Sequence, residues 1–226
     1  MSEHDSPLIK SIAVVGGTGK EGSALAKRWA LKGYRVIIGS RSAEKAVATV
    51  TELNEELGSA YLAAMVNEEA VQNADLIVLS VPYSAHKPTL ESIKAHLDGK
   101  TVIDLTVPLA PPAIFTVTVP EGKAACLEAQ AMLGEGVNVV AAFQNVSAVK
   151  LANPDNDVDC DVLICGDNAD AKADAVALAE AAGMRGVDAG PLANAVAVEA
   201  LTPVLLYINK TYKVKGAGIR ITGLAD

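Results

Sequence analysis

Short continuous apolar runs alternate with longer segments in which apolar residues recur every three or four positions. The runs at residues 75–81 and 100–105 lack the polar alternation of a half-exposed strand, which is typical of strands buried on both faces. Residues 44–57 and 86–97 carry the helical period between successive runs. This order predicts an α/β fold with a doubly wound, parallel Rossmann-type sheet and right-handed crossovers.

The regular alternation of strand-like and helix-like segments ends after residue 146. A polar, turn-rich stretch leads to a short strand, and residues 194–210 form a long apolar helix that we expect Pro203 to interrupt. We therefore predict a nucleotide-binding domain of residues 1–146 and a small carboxyl-terminal α/β domain of residues 147–226 that completes a cleft. The helix is more apolar than a small domain can bury, so we expect it to form the contact of a homodimer.

A glycine loop follows the first apolar run. Gly17, Gly19 and Gly22 have the spacing of the dinucleotide-binding fingerprint, and a helical pattern begins directly after them. The first glycine permits a sharp turn, the second permits close approach of a diphosphate, and the third permits packing of the helix on the sheet. The amide groups at the start of that helix favour an anion. The alternative is a tight strand-to-helix turn without a ligand.

The end of the second predicted strand indicates which dinucleotide binds. Proteins that bind NAD usually carry an acidic residue there to hold the ribose hydroxyls, whereas this chain has Ser40 and Arg41, with Lys45 one helical turn later. A carboxylate would repel a 2′-phosphate, and these side chains attract it. We therefore expect NADP(H) rather than NAD(H). The alternative is that the two cations are a solvated helix start.

The composition excludes several functional classes. Among the 226 residues the net charge is −8, which opposes general nucleic-acid binding. The three cysteines lack the spacing of a zinc site or a disulfide framework, so we expect no metal. The polar opening residues do not form a signal peptide, and we expect no apolar run that is long enough to span a bilayer. We therefore expect a cytoplasmic protein.

Candidate acid–base residues are few, and we assign no catalytic side chain. His86 follows the fourth predicted strand near the cleft, where it is either a solvent-exposed residue at a helix start or a catalytic group. Asp104 ends a strand on the same edge, where it either orients a substrate or caps the following turn, and we favour the turn. The scarcity of such groups fits hydride chemistry that a bound nicotinamide coenzyme carries itself.

The chain resembles the NADPH:coenzyme F420 oxidoreductase family over nearly its whole length. The resemblance begins in segments shared by many Rossmann-type reductases, at residues 15–19, at 39–41 with Lys45, and at 79–83. More specific segments follow at residues 151–154, 162–167, 188–192 and 199–203. Where the family pattern leads us to expect a histidine and an arginine, this chain has Phe143 and Val196.

The resemblance implies where the two coenzymes lie. Thr18, Ser40, Arg41 and Lys45 are expected to hold NADP(H), with Pro82 and Tyr83 beside its nicotinamide. The deazaflavin of F420 is expected in the cleft near residues 143–145 and 201–203. The predicted cofactor-binding residues are Gly17, Thr18, Gly19, Lys20, Glu21, Gly22, Ser40, Arg41, Lys45, Pro82, Tyr83, Phe143 and Thr202.

Three functions remain open from the sequence. The leading hypothesis is hydride transfer between NADP(H) and F420. The second keeps NADPH but replaces F420 with a flavin, an imine or a small carbonyl compound, because Phe143 and Val196 make the acceptor pocket more apolar. A carbonyl or imine reductase would need Tyr83, His86 or Asp104 as a proton donor. The third is a non-enzymatic module that senses NADPH for a partner.

Overall fold

The computed structural model describes residues 10–59 and 61–224, and in this part of the chain eight strands form one sheet. The strands are β1 (Ile12–Val15), β2 (Val36–Ser40), β3 (Leu62–Val66), β4 (Leu76–Leu79), β5 (Thr101–Asp104), β6 (Asn138–Ala141), β7 (Asp161–Gly166) and β8 (Arg185–Asp188). The α-helices are α1 (Lys20–Leu31), α2 (Ala43–Leu57), α3 (Asn67–Gln72), α4 (Tyr83–Ile93), α5 (Ala125–Leu133), α6 (Ala148–Leu151), α7 (Ala169–Ala181) and α8 (Ala195–Tyr212). Short 3₁₀ helices at Lys94–His96 and Leu192–Asn194 follow α4 and precede α8.

The predicted Rossmann-type sheet is confirmed. Strands β1 to β6 are parallel and lie in the order β3-β2-β1-β4-β5-β6. The connections run outward in opposite directions from the adjacent strands β1 and β4. A crevice therefore opens at their carboxyl ends, which is where ligands bind in open α/β sheets.

The central strands are buried on both faces, as their continuous apolar runs predict. Ile12 and Val14 of β1 point into a core layer that contains Trp29 of α1, whereas Ala13 and Val15 point into a second layer that contains Leu90 of α4. Successive side chains of a strand point to opposite faces, so both layers need apolar residues.

The carboxyl-terminal part continues the same sheet. Strand β7 runs antiparallel to β6 through the pairs Val140–Gly166 and Ala141–Cys165, and β8 runs parallel to β7. The direction of the sheet therefore reverses between β6 and β7, and the predicted boundary after residue 146 lies in that connection.

Helix α8 differs from the prediction in two respects. It continues through Pro203 without interruption, because Pro203, Val198 and Ala195 are buried against the rest of the protein and tertiary packing offsets the lost hydrogen bond. By length and composition alone, the helical stretch Leu192–Tyr212 also meets the criteria of a membrane span, and 28% of its 18-residue apolar window is buried. The prediction that the chain has no apolar run of that length is therefore wrong.

Arg28 of α1 joins the two parts of the chain. Its buried guanidinium donates to the carbonyl oxygens of Leu151 at 3.1 Å, Asn153 at 2.6 Å, Asn156 at 2.9 Å and Ala182 at 2.9 Å. All four acceptors belong to residues after 146, whereas Arg28 lies on the helix that follows the glycine loop. This one side chain therefore fixes the second wall of the cleft relative to the first.

We expect Arg28→Met to lower the free energy of unfolding by about 3 kcal/mol or more, because each hydrogen bond to a charged group contributes roughly 1.5–3 kcal/mol. Methionine retains much of the buried side-chain volume and removes the donors. Urea denaturation measures the change, with Lys32→Met at the exposed end of the same helix as the matched control. Equal stability of the two variants would contradict the role assigned to Arg28.

Candidate functional site

The turn between β1 and α1 brings the backbone close to the end of β4. Gly16 has a φ of +75°, and a Cβ atom there would lie 2.5 Å from the carbonyl oxygen of Ser80. A Cβ atom on Gly22 would lie 3.1 Å from the Ser80 hydroxyl oxygen. No side chain caps the start of α1, whose N-cap residue is Gly19. Its first amide groups are therefore left for an anionic ligand, as the glycine fingerprint predicts.

The first cavity of the groove lies beside this turn and has a volume of about 590 Å³. Its lining includes Thr18 and Gly19 from the glycine turn, and Ser40, Arg41 and Lys45 from the end of β2 and the start of α2. Ser42 caps α2 by accepting a hydrogen bond from the backbone N–H of Lys45 at 3.2 Å. The side chains of Arg41 and Lys45 are exposed, and within residues 10–59 and 61–224 neither has an ion-pair partner. Two uncompensated cations therefore face this cavity.

A second cavity of about 290 Å³ continues the groove. It shares Gly19, Ser80, Val81 and Pro82 with the first cavity, so the two are continuous around the glycine turn. Its remaining lining is mostly apolar and comes from both parts of the chain: Lys20, Glu21, Leu105, Val107, Leu109, Gln144, Val146, Ala148 and Thr202. The first cavity thus carries the cations Arg41 and Lys45, whereas the second combines apolar side chains with the charged residues Lys20 and Glu21.

Two residues that the sequence analysis did not select hold buried polar atoms without partners. The Oδ1 atom of Asn67 and the Oε1 atom of Gln144 accept no hydrogen bond from the described residues. Asn67 lines the first cavity, and Gln144 lines the second. Each follows the carboxyl end of a parallel strand, and that position could have identified both. Two unpaired acceptors on the groove are a reason to expect ligand donors there.

Phe143 is not in the groove, and its prediction as a cofactor-binding residue is wrong. The residue has no exposed surface, and its ring packs edge-on against Trp29 with centroids 6.0 Å apart. Phe143 has a φ of +73°, and the same turn places Gln144 on the groove. Alternation along the strand could not predict this change of direction, because it depends on a left-handed backbone conformation.

The residues predicted beside the nicotinamide, Pro82 and Tyr83, and Thr202, predicted near the deazaflavin, differ in position. Pro82 lines both cavities, and Thr202 lines the second while its hydroxyl donates to the carbonyl oxygen of Gln144 at 2.6 Å. Tyr83 is directed elsewhere: its hydroxyl donates to Glu128 Oε2 at 2.8 Å. Burial and the Glu128 carboxylate raise the pKa of Tyr83 to about 12. A contact between Tyr83 and a coenzyme stays a prediction.

His86 and Asp104 form a buried pair behind the groove. His86 Nε2 lies 2.7 Å from Asp104 Oδ2, and both side chains are almost fully buried, so the alternative of a solvent-exposed His86 is wrong. Asp104 also accepts a hydrogen bond from the backbone N–H of Thr106 at 2.9 Å, which agrees with the predicted turn cap. Burial is the largest single influence and lowers the pKa of His86, but the carboxylates of Asp104, Glu199 and Glu128 together raise it by more, so the net pKa lies above its ordinary value.

Another buried acid, Glu199 of α8, caps α5. Its carboxyl oxygens accept the backbone N–H groups of Ala125 at 2.8 Å and Cys126 at 3.0 Å. Burial raises the pKa of Glu199 to about 7, although these hydrogen bonds act in the opposite direction. Glu199, like His86 and Asp104, joins elements of the fold. Among the described residues, no group of three or more His, Cys, Asp or Glu is arranged to hold a metal ion.

Comparisons with known proteins agree with this geometry. Residues 11–108 match the family model described as NADP oxidoreductase, coenzyme F420-dependent. The chain is 42% identical over 222 residues to the F420-dependent NADP reductase of Methanothermobacter marburgensis, covering 95% of this chain and 99% of that protein. The corresponding protein of Methanocaldococcus jannaschii is 40% identical over 222 residues, covering 94% and 98%.

A solved structure from Arthrobacter sp. FB24, described as a candidate F420-dependent NADP reductase, has the same fold. Its TM-score against this chain is 0.81 at 22% sequence identity, and the alignment covers 94% of this chain and 99% of that one.

We expect His86→Ala to lower the free energy of unfolding by about 3–5 kcal/mol at a pH near 6, because it leaves Asp104 buried without its charged partner. The raised pKa of His86 stabilises the folded state fully below the unfolded pKa, and this contribution disappears as the pH rises through the folded pKa. The difference between wild type and variant should therefore shrink towards a pH near 9. Urea denaturation at both pH values measures it, with the exposed Lys87→Ala as control. A difference that is independent of pH would contradict the charged pair.

Proposed function

This chain belongs to the family of F420-dependent NADP reductases, and from that premise we propose that its groove holds NADP(H) and coenzyme F420 side by side for hydride transfer. It is an NADP-dependent oxidoreductase. The observation that carries the proposal is the continuity of the groove. Its first cavity ends on the cations Arg41 and Lys45, and its second, mostly apolar cavity borders the same glycine turn.

The first cavity fits the adenosine end of NADP(H). We assign the 2′-phosphate to Ser40, Arg41 and Lys45, because a planar guanidinium and an ammonium together neutralise a doubly charged phosphate. The diphosphate belongs at the glycine turn, where Gly19 leaves open space and the first amide groups of α1 have no capping side chain. The unpaired Asn67 Oδ1 supplies an acceptor for a donor on the adenosine.

The second cavity fits two flat rings. Gln144 supplies an unpaired buried acceptor, suited to the N–H groups of a heterocycle or of a carboxamide. Val81, Leu105 and Val146 give the cavity apolar walls that exclude water from the reacting atoms. The two coenzymes themselves supply the hydride chemistry when bound, and the protein's part is to hold them at reactive distance.

The three proton donors that the sequence analysis named for a carbonyl or imine reductase do not reach the second cavity. Such an enzyme needs a proton donor that reaches its substrate, yet His86 and Asp104 are buried against each other and Tyr83 is bonded to Glu128. None of the three residues lines the second cavity.

We further propose a cytoplasmic homodimer. Helix α8 exposes large apolar side chains, among them Val204 at 44% and Tyr207 at 56% of their surface. The same helix carries the buried Glu199 and the groove residue Thr202, so its other face is bound to the body of the protein. An exposed apolar face on a docked helix suits a second copy of the chain.

We expect Arg41→Ala together with Lys45→Ala to weaken NADPH binding by about tenfold or more, because each lost charge-assisted contact contributes roughly 1.5–3 kcal/mol. NADH lacks the 2′-phosphate, so its affinity should change little. Calorimetric titration measures both. The matched control removes Lys32 and Arg35, two exposed cations before the opposite end of β2. An equal loss of affinity for NADPH and for NADH would show that the cavity does not select the 2′-phosphate.

We expect the purified protein to reduce F420 with NADPH, seen as bleaching of the deazaflavin absorbance in a stopped-flow experiment. FMN at the same concentration tests whether another flat acceptor substitutes. Absence of deazaflavin bleaching at any pH from mildly acidic to mildly alkaline would remove F420 as the acceptor, and tight NADPH binding without turnover would favour the sensing alternative.

A further inference from the structure

Glu21 is an acid without an assigned role in the second cavity, which the proposed function gives to the nicotinamide and deazaflavin rings. It is the second residue of α1, its side chain is partly buried, and it lines the second cavity together with Gln144 and Thr202. Within the described residues no hydrogen bond or ion pair reaches its carboxyl group. An acid without a partner in a mostly apolar cavity is costly for the folded protein unless it is neutral or serves a ligand.

Burial raises the pKa of Glu21 to about 8, so the carboxyl group takes up a proton far more readily than an exposed glutamate does. Among the described residues that line the cavity, Lys20 is the other charged one, and it is exposed on the same helix turn. Behind the cavity wall, His86, Asp104 and Glu199 also carry charge or titrate, but they do not line the cavity. Glu21 is therefore the acid with direct access to a bound ring.

The chemistry of the reaction supplies a role for this proton. The nicotinamide ring is neutral when reduced and cationic when oxidised. Reduction of the deazaflavin consumes one proton in addition to the hydride. A carboxylic acid is compatible with the neutral ring, and a carboxylate is favoured beside the cationic ring, because opposite charges attract strongly in a cavity with little water.

Resting on the proposed function, we propose that Glu21 is the catalytic acid that supplies the reaction proton and then pairs, as a carboxylate, with the oxidised nicotinamide ring. Both electrons move with the hydride from NADPH to the deazaflavin. Glu21 transfers only the proton of its carboxyl O–H, and the reduced deazaflavin receives that proton. Solvent returns that proton when NADP⁺ leaves. In the reverse direction the Glu21 carboxylate accepts the proton.

The test compares the dissociation constants of NADP⁺ and NADPH by calorimetry, from a pH near 6.5 to a pH near 8.5, with the whole chain and with Glu21→Gln. Both nucleotides carry the same phosphates, so the contribution of the phosphates to binding cancels in the ratio of the two dissociation constants. In the wild type, the affinity for NADP⁺ relative to that for NADPH should rise by about fivefold or more between the two pH values. The reason is that the cationic ring lowers the pKa of Glu21, and each unit of pKa corresponds to a factor of about ten in affinity. In Glu21→Gln the ratio should stay constant.

The matched control is Glu180→Gln, which replaces an exposed acid on α7. It should show the same change of the affinity ratio with pH as the wild type. A flat ratio in the wild type, or an unchanged slope in Glu21→Gln, would overturn the role of Glu21 while leaving the proposed function intact. The wild-type measurement decides even if Glu21→Gln folds poorly. If neither nucleotide bound the wild type, the proposed function itself would fail, and the role of Glu21 with it.

Discussion

The uncapped amino end of α1, held against the carboxyl ends of β1 and β4, is the constraint on which the site depends. The turn that leads into it requires Gly16 at a positive φ, close to Ser80, and Gly22 packed on the same residue. Because the sheet connections diverge between β1 and β4, nothing from the sheet covers that helix end. A strip of unsatisfied amide groups therefore faces an open groove, which favours an anionic diphosphate.

The second wall of the groove depends on how residues after 146 are attached to the first helix. Arg28 binds four carbonyl oxygens of that part, and Trp29 donates to the carbonyl oxygen of Leu178 at 2.8 Å. Both residues lie on the buried side of α1, whose other end follows the glycine turn. The helix that begins at the first cavity thus also holds the part of the chain that contributes Thr202 to the second cavity.

Most buried titratable groups near the groove join elements of the fold. His86 with Asp104 connects α4 to β5, and Glu199 connects α8 to the start of α5. Each has strong hydrogen-bond partners and no access to the second cavity. Glu21 differs on both counts, since it has no partner among the described residues and lines the cavity directly. This contrast agrees with hydride chemistry, in which the protein positions rings and at most one group exchanges a proton.

The sequence by itself determined the parallel sheet, the glycine turn and the presence of the cations Arg41 and Lys45 just after the second strand. Apolar periodicity and turn chemistry depend on residues that are neighbours along the chain, so these features can be read locally. Only the tertiary structure decided that Phe143 points into the core while Gln144 faces the groove, because a left-handed turn reverses their directions. It also decided that His86 meets Asp104 and that α8 passes unbroken through Pro203. These outcomes depend on packing between segments far apart in sequence, which no local pattern records.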